Sequence, residues 1–447
     1  MVSAPSMEKR AGCFSFTGCS YDPASGQALL SYAVDGQVLQ ENITFPWAPW
    51  PVDASRQAAF SRALELLHLM AGVSYFKAGL ATRIDLGQDK VTPQLAEFLQ
   101  ELYEQGLAEF AYVNQLDLDG VIDFRANADD PPGDMEVDLP ERALVAMGGG
   151  KDSLVCLQLL RDAGIEVQPV CVGGSELIGH TVKAARLPLI RIGRQLSGVL
   201  NEMNADGAWN GHVPVTAINS AILVCAALLY GYRYVVFANE SSANEATLID
   251  ERGREVNHQY SKSLAFEKAL RAALERSVSS GVEYFSLLRP YGETAIAKRF
   301  ANMDEFHPVF SSCNRNFHQA GTRIAGRWCQ DCPKCRFTAL ALAPFMTPAQ
   351  LLAIQGADLL NAPGQLPGFK SLCGIGEHKP FECVGRVSEC RTLFKHLSQL
   401  DAWKGKRIVA TLAGFDEIQQ ATSLATALDE RAEHCIPATV LDRLDAF

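Results

Sequence analysis

The middle of the chain, from residue 139 to residue 345, predicts an α/β fold with a doubly wound parallel sheet. Short apolar runs typical of buried strands alternate there with helical stretches. The first strand also leads through a run of glycines directly into a helix. The predicted strands are 143–147, 167–172, 187–192 and 234–237, with a helix at 153–163 and a long helix that ends at Gly231 before the last strand.

The first 138 residues predict a separate N-terminal α+β domain. Residues 12–47 contain short β-type runs separated by the turn-prone sequences PASG and DG, which indicates a small antiparallel sheet. Two helical stretches follow, at 54–70 and 93–112. Residues 126–138 are acidic, contain prolines and have few apolar side chains, so we place the first domain boundary there.

The last hundred residues, 346–447, predict a mostly helical C-terminal region. A helix start is indicated at Thr347, because Pro348 follows it directly and Gln350 can complete a capping box. The glycine-rich stretch 373–385 interrupts this helical pattern. We therefore expect three parts, 1–138, 139–345 and 346–447.

Composition limits the class of protein. The chain has 447 residues, of which 48% are hydrophobic and 20% charged, so it can bury two or three cores and is not disordered or fibrous. Its formal net charge of -11 gives no overall attraction to nucleic acid or anionic lipid. We expect no nucleic-acid partner and no membrane association, although this balance does not exclude a local basic groove.

The N-terminus and the cysteines predict a cytoplasmic protein. No apolar stretch of signal-peptide length opens the chain. The 13 cysteines are an odd number without regular pairing, which favours reduced thiols with a metal site over a disulfide framework. The longest apolar run, 213–230, is interrupted by polar residues and predicts a buried helix instead of a membrane span.

The glycine run predicts a phosphate-binding loop. Glycines let backbone amides approach an anion closely, the start of a helix adds partial positive charge, and lysine and serine supply further donors. The pattern is neither GxxxxGK[ST] nor GxGxxG. The alternative is a glycine-rich turn that binds nothing. The loop consists of Gly148, Gly149, Gly150, Lys151, Asp152 and Ser153.

This loop resembles the PP-loop of the ATP pyrophosphatase superfamily, whose pattern is SGGxDS. The match covers Gly148 to Ser153, with glycine in place of the first serine. The resemblance implies a fold of the adenine nucleotide α-hydrolase-like type and cleavage of ATP between its α and β phosphates. It also implies that the loop holds the departing pyrophosphate, and that Asp152 contacts Mg²⁺ or shapes the loop.

Two further segments carry candidate catalytic residues. Glu240 follows the predicted strand 234–237 in a polar cluster, where it could ligate Mg²⁺ or act as a base, or merely belong to a helix-capping loop. The stretch 373–385 concentrates titratable groups that suit proton transfer, unless it is a solvated surface loop. Its candidates are His378, Glu382 and Cys383, beside Glu377.

Four cysteines predict a zinc site with a structural role. Their spacing, C-x15-C-x2-C-x2-C, places three thiolates on one tight knuckle that a distant fourth can complete. The alternative is a chance cluster of free thiols. A similar arrangement binds structural zinc in the deazaguanine-synthase branch of the superfamily. The residues are Cys313, Cys329, Cys332 and Cys335.

Taken together, these motifs resemble the UDP-N-acetylmuramoyl-L-alanyl-L-glutamate epimerase (MurL) family over most of the chain. The sequences that carry the resemblance are AMGGGKDS, FANESSAN, NHQYSKS, SSCNRNF, WCQDCPKCRF and GIGEHKPFECVG. It implies a UDP-linked muramoyl dipeptide as substrate, ATP and Mg²⁺ as cofactors, and inversion of the terminal L-glutamate through an acyl-adenylate, with release of AMP and pyrophosphate. Two alternatives stay open: another adenylating enzyme, similar to deazaguanine nitrile synthases or tRNA-modifying enzymes, and a non-catalytic nucleotide-binding protein.

Overall fold

The computed structural model describes residues 10–47, 50–51, 53–129, 136–316, 324, 326–376 and 379–444. An antiparallel meander opens the chain, formed by β1 (Phe14–Asp22), β2 (Gln27–Val34) and β3 (Gln37–Thr44). Asp35 and Gly36, with φ of 47° and 84°, form the two-residue turn between β2 and β3. Positive φ at both central positions suits a tight hairpin. The antiparallel strands predicted within 12–47 are confirmed, but they form part of a larger sheet and not a small sheet of their own.

Eight further strands follow in the described residues. They are β4 (Ile84–Asp85), β5 (Arg142–Ala146), β6 (Glu166–Val172), β7 (Ile190–Gln195), β8 (Tyr234–Phe237), β9 (Leu248–Ile249), β10 (Glu255–Val256) and β11 (Glu283–Ser286). All but β9 and β10, which pair with each other, join one nine-stranded sheet in the order β11-β8-β5-β6-β7-β3-β2-β1-β4. The segment from β11 to β7 is parallel throughout.

The strand order reverses beside β5. The chain passes from β5 outward to β6 and β7, then returns to place β8 and β11 on the other side of β5. In open parallel sheets, ligands bind beyond the carboxyl ends of the strands at such a reversal. Here β5 and β8 flank that position. The α/β class with a large, mostly parallel sheet is confirmed.

The N-terminal meander extends this same sheet, because β3 pairs antiparallel with β7 through Asn42 and Gln195. The strand predicted at 187–192 is β7, which lies three residues later, at 190–195, because its pairing with β3 extends it beyond residue 192. Its polar end, Arg194, is held by a hydrogen bond of 2.7 Å from Nε to Oε1 of the fully buried Glu41 in β3. Local hydropathy cannot reveal a polar strand end that a distant carboxylate stabilises.

The described helices are α1 (Ala54–Ala71), α2 (Val73–Gly79), α3 (Pro93–Gly106), α4 (Ala108–Val113), α5 (Lys151–Asp162), α6 (Glu176–Ala184), α7 (Gly198–Ala205), α8 (Val215–Tyr230), α9 (Leu264–Ser277), α10 (Glu293–Phe300), α11 (Pro333–Leu342), α12 (Pro348–Gln355), α13 (Leu366–Leu372), α14 (Val387–Leu397), α15 (Arg407–Leu412), α16 (Asp416–Gln419), α17 (Leu424–Asp429) and α18 (Ala438–Leu441). The capping box predicted at Thr347 is present. The helix predicted at 153–163 begins two residues earlier, at Lys151, and the stretch predicted at 93–112 is two helices that meet at Leu107.

Two hydrophobic cores cover the two faces of the sheet. Leu144 and Val235 point into one core, while their strand neighbours Val145 and Val236 point into the other. Side chains of α1, α3, α8 and α9 fill the first core, and those of α5, α10, α11 and the C-terminal helices fill the second. The apolar run predicted as a buried helix is α8, which Gly231 ends at φ 76°. Within the described ranges no helix is both long and apolar enough to cross a membrane.

Candidate active site

The glycine loop lies at the carboxyl end of β5, where the strand order reverses. Gly149 has φ 77°, a conformation that favours glycine. A Cβ atom at Gly150 would lie 3.1 Å from Ser312 Oγ, and the Ser311 amide donates to the Gly149 carbonyl at 3.2 Å. Among the residues that the structure describes, no side chain caps the start of α5. The loop thus leaves the amides of a helix N-terminus without a side-chain acceptor, as anion sites do.

The first two residues of α5 carry a buried ion-pair network. Lys151 is only 2% exposed, and its ammonium contacts the carboxylates of Asp152 and Glu293. Burial alone would lower the pKa of Lys151, but the two carboxylates raise it above its ordinary value. Burial raises the pKa of Glu293, against the effect of Lys151. Ser153 donates to the Gly150 carbonyl at 3.1 Å and so braces the loop.

A cavity of about 530 Å³ opens beside this network. It brings together residues from all six of the motif sequences quoted in the sequence analysis, including the glycine loop, the FANESSAN segment and the glycine-rich C-terminal stretch. Helix α11 and the segment before α9 complete its wall. The lining residues are Lys151, Asp152, Ala238, Asn239, Glu240, Ala243, Gln259, Lys262, Glu293, Ser312, Lys334, Phe337, Thr338 and Cys383.

Glu240 lies just beyond the carboxyl end of β8. Its carboxylate accepts hydrogen bonds from the backbone amide and the hydroxyl of Ser242, and so caps the short 3₁₀ helix Ser241–Asn244. Burial raises the pKa of Glu240, and the nearby charge of Glu389 adds to the increase. The capping arrangement weighed in the sequence is therefore present, on a carboxylate that also faces the cavity.

Arg289, which sequence reasoning missed, joins the loops around the cavity. Its side chain is fully buried and pairs with the equally buried Glu267, with 3.1 Å between Nη2 and Oε2. It also donates to the carbonyl of Glu240 at 2.7 Å, to the carbonyl of Lys262, and to Asn244 Oδ1 at 3.3 Å. One guanidinium thus fixes two cavity segments relative to each other.

Cys383 is surrounded by cationic groups. Lys262 Nζ donates to the Cys383 sulfur at 3.0 Å, and the ring of His258 also interacts electrostatically with that sulfur. Burial opposes ionisation of the thiol, but Lys262, Lys334 and His258 outweigh it and hold the pKa of Cys383 well below its ordinary value. These cations therefore favour the thiolate form of the sulfur at the cavity wall.

A second group of titratable residues lies behind Cys383. The carboxylate of Glu109, in α4, accepts a hydrogen bond from Nδ1 of His258. The same carboxylate lies 3.4 Å from Nδ1 of His212. Burial lowers the pKa of His258, but its hydrogen bonds to Cys383 and Glu109 raise it to about 9. Burial and the charge of His258 lower the pKa of His212 to about 4. The motif NHQYSKS contains His258 and Lys262, but only the fold places them beside Cys383.

The other proton-transfer candidates are Glu382 and His378. Glu382 is half-buried and does not line the cavity; burial raises its pKa to about 7. His378, together with Glu377, lies outside the residues that the structure describes. Of the four predicted candidates, the structure therefore brings Glu240 and Cys383 to the same cavity.

The four cysteines of the predicted zinc site lie together. Sulfur–sulfur distances are 3.5 Å for Cys332–Cys335, 3.8 Å for Cys329–Cys335 and 4.0 Å for Cys313–Cys332. Four sulfurs about 2.3 Å from a tetrahedral zinc ion would lie about 3.8 Å apart. The cluster is thus compatible with structural zinc.

This cluster adjoins the cavity on two sides. Ser312 precedes Cys313, and Lys334 lies between Cys332 and Cys335; both Ser312 and Lys334 line the cavity. A metal bound to the four sulfurs would hold these cavity residues in place.

Fold and site together define a class: an α/β protein with a glycine loop where its strand order reverses and a cavity of titratable groups beside that loop. Comparison with known proteins agrees and is more specific. The "MurL N-terminal domain" and "MurL C-terminal domain" families match residues 6–287 and 309–428.

Curated relatives match almost the whole chain. One from Xanthomonas oryzae pv. oryzae is 46% identical over 437 residues, covering 97% of each chain. Relatives from Salinispora tropica and from a Micromonospora strain are each 41% identical over 90% of this chain, covering 89% and 91% of their own lengths. All three are named UDP-N-acetyl-alpha-D-muramoyl-L-alanyl-L-glutamate epimerase. The chain belongs to this MurL family, which confirms the resemblance found in its sequence.

Proposed function

We propose that this protein inverts the terminal L-glutamate of UDP-N-acetylmuramoyl-L-alanyl-L-glutamate during peptidoglycan precursor synthesis, and that it uses ATP to activate the glutamate. The observation that carries the proposal is that Asp152, beside the glycine loop, and Cys383 line one cavity. Activation of a carboxyl group and removal of the neighbouring proton can then occur on the same bound substrate. The names of the relatives support this substrate.

We assign nucleotide binding to the loop Gly148–Ser153, as in the PP-loop superfamily. The start of α5 supports this assignment, because its N–H groups have no side-chain cap among the described residues and are donors that phosphate oxygens can accept from. In this assignment the loop receives pyrophosphate after the α-phosphorus of ATP is attacked. AMP is then the second nucleotide product.

Magnesium fits the carboxylates beside the loop. Asp152 and Glu293 both face the cavity, and the charge of Asp152 raises the pKa of Glu293 in addition to the effect of burial. Oxygen ligands on two or three carboxylates suit Mg²⁺ shared with a phosphate. When bound there, Mg²⁺ would offset the negative charge of the triphosphate.

Activation by ATP explains why an epimerase needs a nucleotide site. The α C–H of a glutamate carboxylate is a weak acid, because its deprotonation would place a second negative charge beside the first. Attack of the carboxylate on the α-phosphorus of ATP gives a mixed anhydride, whose acyl carbon can accept the electron pair released from the C–H bond. Water then hydrolyses the anhydride after the proton has returned to the opposite face.

We assign the two proton transfers to Cys383 and Glu240. The Cys383 thiolate has the protonation state of a base. Burial raises the pKa of Glu240, the direction that suits a general acid. Both residues line the cavity, and they come from different segments of the chain.

The test is to incubate the purified protein with ATP, Mg²⁺ and the UDP-linked dipeptide, then measure nucleotide products and glutamate chirality. We expect D-glutamate, AMP and pyrophosphate. Cys383→Ala should retain substrate-dependent exchange of pyrophosphate into ATP while inversion slows by about 10²-fold or more, the usual effect of losing a positioned acid or base. Cys435→Ala is the matched control, because Cys435 is half-buried and does not line the cavity.

Two results would overturn the proposal. Formation of ADP and phosphate would show that the loop does not receive pyrophosphate. Unchanged glutamate chirality with active, folded protein would show that the chain is not an epimerase for this substrate.

A further inference from the structure

We propose that His258 and Glu109 are positioning residues that keep Cys383 ionised, so that the cavity wall contains a Glu–His–Cys relay. The inference rests on the proposed function only in assigning Cys383 to the proton transfer. The relay itself stands on contacts among residues from three separate parts of the chain.

The contacts form one continuous line. The Glu109 carboxylate accepts a hydrogen bond from Nδ1 of His258, which fixes the orientation and tautomer of the imidazole. The same ring interacts electrostatically with the Cys383 sulfur, and it belongs to the segment whose Lys262 donates to that sulfur at 3.0 Å. His258 is half-buried, as is Cys383, so solvent screens this pair only partly.

Packing holds the imidazole in this line. Phe381, two residues before Cys383, lies with its ring centroid 6.5 Å from that of His258 and 5.8 Å from that of Tyr112 in α4. Tyr112 is one turn along α4 from Glu109. The helix that carries the carboxylate therefore also contacts the segment that carries the thiol.

The relay moves one proton. The S–H bond of Cys383 breaks and an N–H bond forms on His258, which gives a thiolate beside an imidazolium whose charge Glu109 balances. When the thiolate takes a proton from the substrate Cα, the electron pair of that C–H bond moves to the activated acyl group. Cys383 then holds the proton from Cα as a new S–H bond. That proton leaves to solvent before the next cycle, while the imidazolium of His258 stays protonated and again favours the thiolate.

Other charged groups face this pair. The charges of Lys262 and Lys334 also act on Cys383, and Glu382 is its chain neighbour. His212 lies with its ring centroid 4.7 Å from that of His258, but its pKa of about 4 leaves it neutral at pH 7. The lysines also favour the thiolate, so the test must separate their effect from that of His258.

The test is the pH dependence of Cys383 alkylation by iodoacetamide, followed by mass spectrometry of the Cys383 peptide. In the wild type we expect a rate that is nearly constant from about pH 6 to about pH 8.5, because the thiolate is already formed, whereas an ordinary thiol loses about tenfold per pH unit below its pKa of about 8.5. In His258→Gln the rate at about pH 6.5 should fall by about tenfold or more.

Two further variants make the measurement specific. Glu109→Gln should lower the rate in the same direction, by about threefold or more, because the imidazolium loses its balancing charge. His212→Asn is the matched control and should retain the wild-type profile, since His212 carries no charge at neutral pH. Circular dichroism spectra identical to wild type establish that each variant is folded.

Equal profiles for wild type, His258→Gln and Glu109→Gln would overturn the relay, because the lysines alone would then ionise Cys383. A second equivalent of zinc in the wild type that is lost in His258→Gln would also overturn it, since Glu109, His212 and His258 lie close enough to share an ion. Failure of the wild type to invert glutamate would refute the proposed function and leave the alkylation profiles to decide the relay.

Discussion

Replacing Arg289 tests whether one buried guanidinium holds the cavity together. Arg289 and Glu267 are 0% and 1% exposed, so Arg289→Met leaves a buried carboxylate without its partner. Breaking a buried ion pair from one side costs about 3–5 kcal/mol. Methionine fills much of the arginine volume with an adaptable side chain, so the cavity contribution stays small. We expect destabilisation in that range, because the hydrogen bond of 2.7 Å to the Glu240 carbonyl is lost as well.

The control is Arg299→Met. Arg299 pairs with Asp162 at 2.8 Å, but the two side chains are 39% and 35% exposed, and such pairs contribute about 0–1 kcal/mol. Urea denaturation of both variants and the wild type, followed by circular dichroism, gives the comparison. Adding Glu267→Gln to Arg289→Met should recover part of the loss by removing the unpaired charge. A midpoint shift for Arg289→Met no larger than that for Arg299→Met would refute this reasoning.

Three further predictions concern the metal, the loop and a buried lysine. Metal analysis should give about one zinc per chain, because the binding free energy of structural zinc is about 10 kcal/mol or more. Less than about a tenth of an equivalent would contradict the site. Cys332→Ser should lower zinc content and stability together. Asp152→Ala should abolish ATP turnover and leave the circular dichroism spectrum unchanged, and turnover near the wild-type rate would exclude a role for this carboxylate. Burial lowers the pKa of Lys77 from 10.5 to about 8. Between these two pH values the unfolded chain binds more protons than the folded protein, so the free energy of unfolding rises with pH. Lys77→Met should remove this rise when urea denaturation is measured across that pH range.

Most of the sheet could be predicted from the sequence because its signals are local. Apolar runs followed by glycine or turn residues located β5, β6, β8 and the N-terminal meander. The end of β7 could not be located, because Arg194 belongs to the strand only through Glu41 on β3. The pairing of β3 with β7, which joins the N-terminal strands to the parallel sheet, is likewise a long-range contact that no local pattern encodes.

The site was predictable where one short segment carries the chemistry. The glycine loop and the cysteine knuckle each have recognisable spacing, and Glu240 follows a strand end. No such signal marks Arg289, Glu109 or His258, since a single charged residue in a helix or loop normally predicts a solvent-exposed side chain. Their roles arise from burial and from partners more than a hundred residues away in the case of His258 and Glu109.

The measurement that tests the central claim most directly is hydrogen exchange at the glutamate α-carbon. The protein is incubated in D₂O with ATP, Mg²⁺ and the UDP-linked dipeptide, and the product is analysed by mass spectrometry and by chiral separation of its glutamate. The account predicts that inverted glutamate carries deuterium at Cα and that neither exchange nor inversion occurs without ATP. Inverted glutamate without deuterium, or exchange at the same rate without ATP, would contradict deprotonation of an ATP-activated acyl group.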